Sequence, residues 1–305
     1  MKNKLLFLYI AVVLVAFSCC QNNSNNKVEN SVSVNSDSLS NLTLEVPEVP
    51  DSVVGAEERA AFVAEHFWDD LDFAHDSRSL DTAFMEQNFV NFLAVLSVTP
   101  EPVAQSAVAG LLDRANASRK GSDLLGYVAN RYLDDPNSPM RNEELFILFA
   151  REWSVDQSLP EERRARANYR LNQALKNRVG TKGADFAFVD REGRNRRLYD
   201  GFGDGMTLLM FYDPDCEQCK AVKEQLSQMP RQEGVRIIAV DTMGDREKWE
   251  ETKDSFPDDW TVGFATDPIE DDEIYVVRAL PTFYLFDKDG TIVLKDPDIS
   301  QLVNA

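Results

Sequence analysis

The chain has 305 residues, 43% of them apolar, which is enough for two domains with buried cores. Its formal net charge of −20 excludes nucleic-acid binding, which needs a cationic footprint. Its four cysteines fall in two close pairs, which excludes a disulfide framework, because such pairs cannot staple distant parts of a large domain.

At the N-terminus, Lys2 and Lys4 precede an apolar run from Leu5 to Phe17. The run is too short for a comfortable membrane span and reads as a signal peptide over residues 1–19. Ala16-Phe17-Ser18-Cys19 resembles a bacterial lipoprotein cleavage box, with Phe17 bulkier than usual. That resemblance implies lipidation of Cys19, or of Cys20; ordinary signal cleavage is the alternative. Either way the chain is expected on the periplasmic side of the cell envelope, and lipidation would make it a membrane lipoprotein. With one cysteine pair spent in the export signal, no four-cysteine metal site is expected. Residues 20–54 are rich in Asn and Ser, with Pro47 and Pro50 near their end. Too few apolar groups are present to repay ordering, so a flexible linker is expected.

Residues 55–178 read as an all-helical domain. Ala60, Val63, Phe67 and Leu71 recur at helical spacing, as do Met85, Phe89, Phe92 and Leu96. A helix is expected from near Pro102, carrying Val103, Ala107 and Leu111. Leu124, Val128 and Tyr132 predict another, ended by Asp134 to Pro139. Leu145, Leu148 and Phe149 mark the next. Ser158-Leu-Pro-Glu161 reads as a capping box opening a helix to about Asn177. The expectation is a bundle of five to seven helices.

The period changes at Gly180, and residues 180–305 read as an α/β domain. Strand-like runs lie at Ala184–Val189, Met206–Tyr212 and Val235–Asp241, with helical stretches at Cys216–Met229 and Arg246–Phe256. Trp260–Thr266 reads as a short strand or loop, and Glu273–Ala279 as a short helix. Thr282–Phe286, the turn Asp287-Lys-Asp-Gly290 and Thr291–Leu294 form a β-hairpin signal, with a terminal helix at Asp298–Val303. Alternating strands and helices predict a mixed sheet with an antiparallel pair at one side.

The chemistry lies in Cys216-Glu217-Gln218-Cys219, directly after an apolar strand and at the start of a helix. Two thiols three residues apart can close a small disulfide ring. The helix dipole and free N–H groups favour the thiolate of the first. Such a pair can exchange with other disulfides, Cys216 as nucleophile and Cys219 as resolving thiol. An inert structural disulfide is the alternative.

Three segments in this order resemble the thioredoxin-like fold, in its exported, membrane-anchored redoxin (TlpA-like) branch. They are Gly183-Ala-Asp-Phe-Ala-Phe-Val-Asp190, the Cys216/Cys219 pair, and Ala279-Leu-Pro-Thr-Phe-Tyr-Leu-Phe-Asp287. The run from Ile274 to Gly290, followed by Lys295-Asp296, is similar to exported lipoproteins that join a helical domain of unknown function to a redoxin domain. The resemblance implies that Pro281 is cis and faces Cys216. It implies that the Leu280 backbone pairs with substrate. It also implies that a membrane electron donor re-reduces the pair.

Two departures stand out. Asp215 replaces the usual Trp before the first cysteine, and the buried acid of thioredoxins falls at Met210. Asp213, Asp215 and Glu217 crowd Cys216, and their charge opposes the helix N-terminus. Elsewhere, His66 and His75 read as solvated or capping residues. Gly201-Phe-Gly-Asp-Gly205 reads as a turn, since no helix follows it for phosphate binding. The aromatics Phe67, Trp68, Phe73, Phe84, Phe89 and Phe92 read as core.

The expected activity is thiol–disulfide oxidoreduction on protein thiols or disulfides of the envelope. The redox-active Cys216/Cys219 disulfide does the work, with no organic cofactor or metal. A thiol peroxidase shares the fold, but Asp213 stands where its Thr-x-x-Cys setting needs threonine. A binding or copper-handling protein on the same scaffold is the third reading.

Overall fold

The computed structural model describes residues 42–229, 234–269 and 274–297, together with 299 and 302. Cys19 and Cys20, the signal segment, the first part of the linker and most of the terminal helix expected at Asp298–Val303 lie outside the described residues. The described residues from Leu42 onward form one compact unit.

The helical half contains α1 (Ala56–His66), α2 (Thr82–Leu96), α3 (Glu101–Ala115), α4 (Arg119–Ala129), α5 (Glu143–Val155) and α6 (Glu161–Leu175). Side-chain caps start several of them: Asp81 accepts from the Phe84 amide, Ser118 from Gly121 and Asn142 from Leu145. Pro102 sits in the first turn of α3, where its missing N–H costs nothing. The core takes one stripe from each helix, including Phe84, Phe89 and Phe92 of α2, Leu111 of α3, Val128 of α4 and Phe149 of α5. Each such buried side chain contributes roughly 1.5–3 kcal/mol of transfer free energy.

Four local expectations are corrected here. Helix α1 stops at His66, so Phe67 and Leu71 are buried from the turns beyond it. Pro160, not Ser158, is the N-cap of α6, and no side chain caps that end; the Ser158 amide instead donates to Asp156. Helix α4 continues as a π-helical turn, Asn130–Asp134, closed by the Asp135 amide on the Asn130 carbonyl. Finally, the end of the expected free linker is held down. Leu44 is buried, its amide bonds Asn88 Oδ1, and Asn88 Nδ2 donates to the Leu42 carbonyl.

The α/β half carries β1 (Ala187–Asp190), β2 (Asn195–Arg197), β3 (Thr207–Tyr212), α7 (Glu217–Gln228), β4 (Arg236–Asp241), α8 (Arg246–Thr252), β5 (Thr261–Ala265), β6 (Thr282–Phe286) and β7 (Ile292–Lys295). They form one seven-stranded sheet in the order β2-β1-β5-β4-β3-β6-β7. Strands β3, β4 and β5 run parallel, and β6 pairs antiparallel with β3. Antiparallel hairpins close both sides, β1–β2 at one edge and β6–β7 at the other, rather than one side alone. The short, polar β2 has no apolar alternation to announce it. Residues 274–279, expected within a helix, follow no regular structure.

Every residue of β3 is buried, because helices and loops cover both faces of this central strand. Its side chains alternate. Leu208, Met210 and Tyr212 join α7 and α8 through Val222, Leu226 and Trp249. Leu209 and Phe211 join Phe186, Phe188, Tyr275 and Tyr284 on the other face. The strand therefore ends at a fixed point, and the loop that follows delivers Cys216 to the end of the sheet. The helical N-terminal half followed by this mixed sheet is the predicted fold class.

Candidate active site

Cys216 is the N-cap of α7. Its Sγ accepts the Cys219 amide at 3.1 Å, a first-turn N–H with no partner inside the helix. The same sulfur donates to the Leu280 carbonyl at 3.6 Å. The Leu280–Pro281 bond is cis. Cys216, Cys219, Leu280 and Pro281 are thus gathered at one end of the sheet. Cys216 is half-buried, and Cys219 lies one helical turn inward, 3% exposed.

The two thiols have different surroundings. Burial pushes the Cys219 thiol up to about 12, against a hydrogen bond with the Asp213 backbone, and the nearby Cys216 adds to the rise. At neutral pH it therefore needs a base before it can attack. The acids that crowd Cys216 in sequence are partly neutralised in space. Asp215 pairs with Lys248 of α8 at 3.0 Å, and Glu217 with Lys220 at 2.7 Å. A narrow cleft of ≈ 120 Å³ beside α7, between Tyr212, Pro214, Lys223 and Phe256, reaches Cys219.

Met210 occupies the position of the thioredoxin acid and is fully buried. A different carboxylate ends the neighbouring strand. Asp241 ends β4, in register with Tyr212 at the end of β3, and is fully buried. Burial, with Asp213 and Asp245 nearby, pushes it up to about 6, against a hydrogen bond from the Met243 amide. Asp241 Oδ2 has no hydrogen-bond partner among the described residues. Burial pushes the Tyr212 hydroxyl up, and charge on Asp241 and, less so, on Cys219 adds to it. Sequence reasoning passed over Asp241, although an acid at the end of the apolar run Ile237–Val240 was its signal.

The histidines lie apart from this site. His66 faces Asp69 at 2.6 Å and His75 faces Asp72 at 2.9 Å, each a local contact on the surface. The six aromatics named in the helical half are buried in its core.

The description "Domain of unknown function (DUF5106)" matches residues 18–177, more than half of the chain. The chain belongs to the DUF5106 family. A thioredoxin-like domain matches residues 198–297 of this DUF5106 protein, beginning just before β3. A crystal structure of a thioredoxin-like protein from Bacteroides caccae is similar across both halves. It has a TM-score of 0.77 and 30% identity, over 86% of this chain and 97% of that one. Two curated relatives are each named thiol-disulfide oxidoreductase ResA. The Bacillus cereus protein is 29% identical over 126 residues, 39% of this chain and 70% of its own length. The Geobacillus thermodenitrificans protein is 30% identical over 123 residues, 37% of this chain and 66% of its own. The DUF5106 protein thus joins its helical half to a domain with relatives among the thiol–disulfide oxidoreductases.

Proposed function

We propose that this protein is a thiol–disulfide oxidoreductase that reduces protein disulfides through Cys216 and Cys219. The observation that carries this reading is Cys216 Sγ at the helix N-cap, receiving the Cys219 amide while facing the Leu280 carbonyl. The amide and the carbonyl fix the direction of this sulfur, so that it faces the edge where a substrate disulfide would dock.

The Cys216 thiolate attacks one sulfur of a substrate disulfide. A new S–S bond forms to Cys216, and the other substrate sulfur leaves as a thiolate. Cys219 then gives its proton to Asp241 and attacks the Cys216 sulfur. The mixed disulfide breaks, the second substrate sulfur leaves, and a Cys216–Cys219 disulfide remains. Two electrons have passed from the dithiol to the substrate. Asp241 suits the proton step because it ionises near neutral pH and has a free oxygen. The strand edge at Leu280 and Pro281 pairs with the substrate backbone.

The N-terminal sequence supports export and anchoring through a lipid on Cys19 or Cys20, with the catalytic part facing the periplasm. No helix among the described residues is long and apolar enough to cross a membrane. A membrane-embedded electron donor would return the disulfide to the dithiol.

The test is the reduction potential of the pair, from equilibration in defined thiol buffers followed by alkylation and mass counting. A reversible two-electron couple at about −120 to −270 mV is expected. A pair that never closes, or never opens, overturns the exchange reading and leaves a binding role for the scaffold.

A further inference from the structure

The segment from Ile274 to Leu280 leads into the cis bond with no regular secondary structure of its own. Side chains hold it instead. Asn177 Nδ2 donates to the Ile274 carbonyl at 2.6 Å, and Tyr275 Oη donates to the Ala184 carbonyl at 2.6 Å. Tyr284 Oη donates to the Val276 carbonyl at 3.4 Å. Arg278, two residues before Leu280, reaches out of the α/β half altogether. Its Nη1 donates to the Asp134 carboxylate at 2.7 Å and to the Asp134 carbonyl at 3.0 Å.

Asp134 is shaped for this contact. It ends the π-helical turn that follows α4, so its carboxylate and its carbonyl meet the same guanidinium. Departures from α-helical geometry of this kind re-aim individual groups and often occur at functional sites. Its side chain is 9% exposed and that of Arg278 is 16% exposed. Arg170 of α6 holds the other carboxylate oxygen. Two more ties run alongside. Lys295 Nζ pairs with Glu143 at 2.6 Å and donates to the Lys176 carbonyl at 2.7 Å, while Arg141 pairs with Asp296. Desolvating this many charges is costly, and a buried ion pair fixes geometry more than it adds stability.

We infer that the helical half is a positioning device for the substrate-docking edge, with Asp134 acting through Arg278 to hold Leu280 where a peptide disulfide must lie. This rests on the exchange reading above. A peptide that pairs with the Leu280 backbone feels the placement of that edge. A small disulfide that touches only the Cys216 sulfur does not.

The experiment uses the full chain and its variants Asp134→Asn, Arg278→Gln and the double variant, with Arg278→Lys held in reserve should a variant not fold. Two substrates are compared: a disulfide-bonded peptide with several residues on each side of the bond, and a small aromatic disulfide. Asp134→Asn is expected to raise the KM for the peptide about tenfold with kcat little changed, the signature of lost ground-state and transition-state binding alike. The double variant is expected to match the single ones, because the pair acts as a unit. The small-disulfide rate and the Cys216/Cys219 potential are expected to stay as in the wild type. An unchanged peptide KM in folded variants, or a parallel fall with both substrates, overturns the inference alone. A wild-type chain that reduces neither substrate overturns the exchange reading, and the inference with it.

Discussion

Cys216 Sγ lies 3.6 Å from the carbonyl oxygen of Leu280, a residue 64 positions later in the chain. The sheet makes the meeting. Strand β3 ends beside the loop that carries Cys216, and β6, antiparallel to β3, begins directly after Pro281. A disulfide docked on the Leu280 edge would therefore reach the one sulfur that also caps a helix.

If Cys216 attacks and Cys219 resolves, replacing the second thiol stops the reaction half-way. Cys219→Ser is expected to accumulate a mixed disulfide between Cys216 and substrate, seen as a mass increase that added thiol reverses. Cys216→Ser is expected to form no adduct. Clean turnover by Cys219→Ser would refute the assignment.

In the proposed scheme Asp241 makes opposite contributions to stability and to chemistry. Its folded value is about 6, above the ordinary aspartate value of about 3.9. The folded state thus binds more protons than the unfolded state between those values. This group's contribution is fully present below about pH 4 and is lost as pH rises through about 6. The cost above that range is roughly 2–3 kcal/mol. Asp241→Asn is expected to stabilise the protein at pH 8 by about that order and to change little near pH 4, measured by urea unfolding. It is also expected to slow release of the mixed disulfide about a hundredfold, the usual scale of general-base assistance. Equal stability changes at both pH values, with an unaltered release rate, would remove Asp241 from the scheme.

Asn88 is fully buried in α2 and spends its amide on the chain entering the helical half. Its Oδ1 accepts the Leu44 amide at 2.7 Å, and its Nδ2 donates to the carbonyls of Leu42 and Phe84 at 2.9 and 2.8 Å. Asn88→Ala would leave the Leu44 amide and the Leu42 carbonyl without this partner, at about 1–3 kcal/mol. The expected result is a lower denaturant midpoint and faster proteolysis between residues 42 and 54. Cleavage no faster than in the wild type would mean that Leu44 burial alone holds the segment.

Much of this molecule was legible in short windows of sequence. The helical repeat of Met85, Phe89, Phe92 and Leu96 became α2, and the run Met206–Tyr212 became a strand buried on both faces. A thiol pair behind a strand and at a helix start needed only local spacing to be read. Local signals failed where a partner from elsewhere changed the outcome. The turn formers at 42–54 suggested a free tether, yet Asn88 holds its first residues. Residues 274–279 read as part of a short helix, yet their groups bond Asn177, Ala184, Tyr284 and Asp134.

Periodicity and the spacing of Cys216 and Cys219 depend on neighbours a few residues apart, so the chain carries them in its order alone. Asp241 as a buried acid beside Tyr212 depends on β4 lying next to β3, which side-chain pattern does not encode. Asp134 reaching Arg278 across 144 positions depends on a π-helical turn and on how the two halves pack. Burial raises one carboxyl and makes the other a buried anchor, and burial is a property of the folded chain.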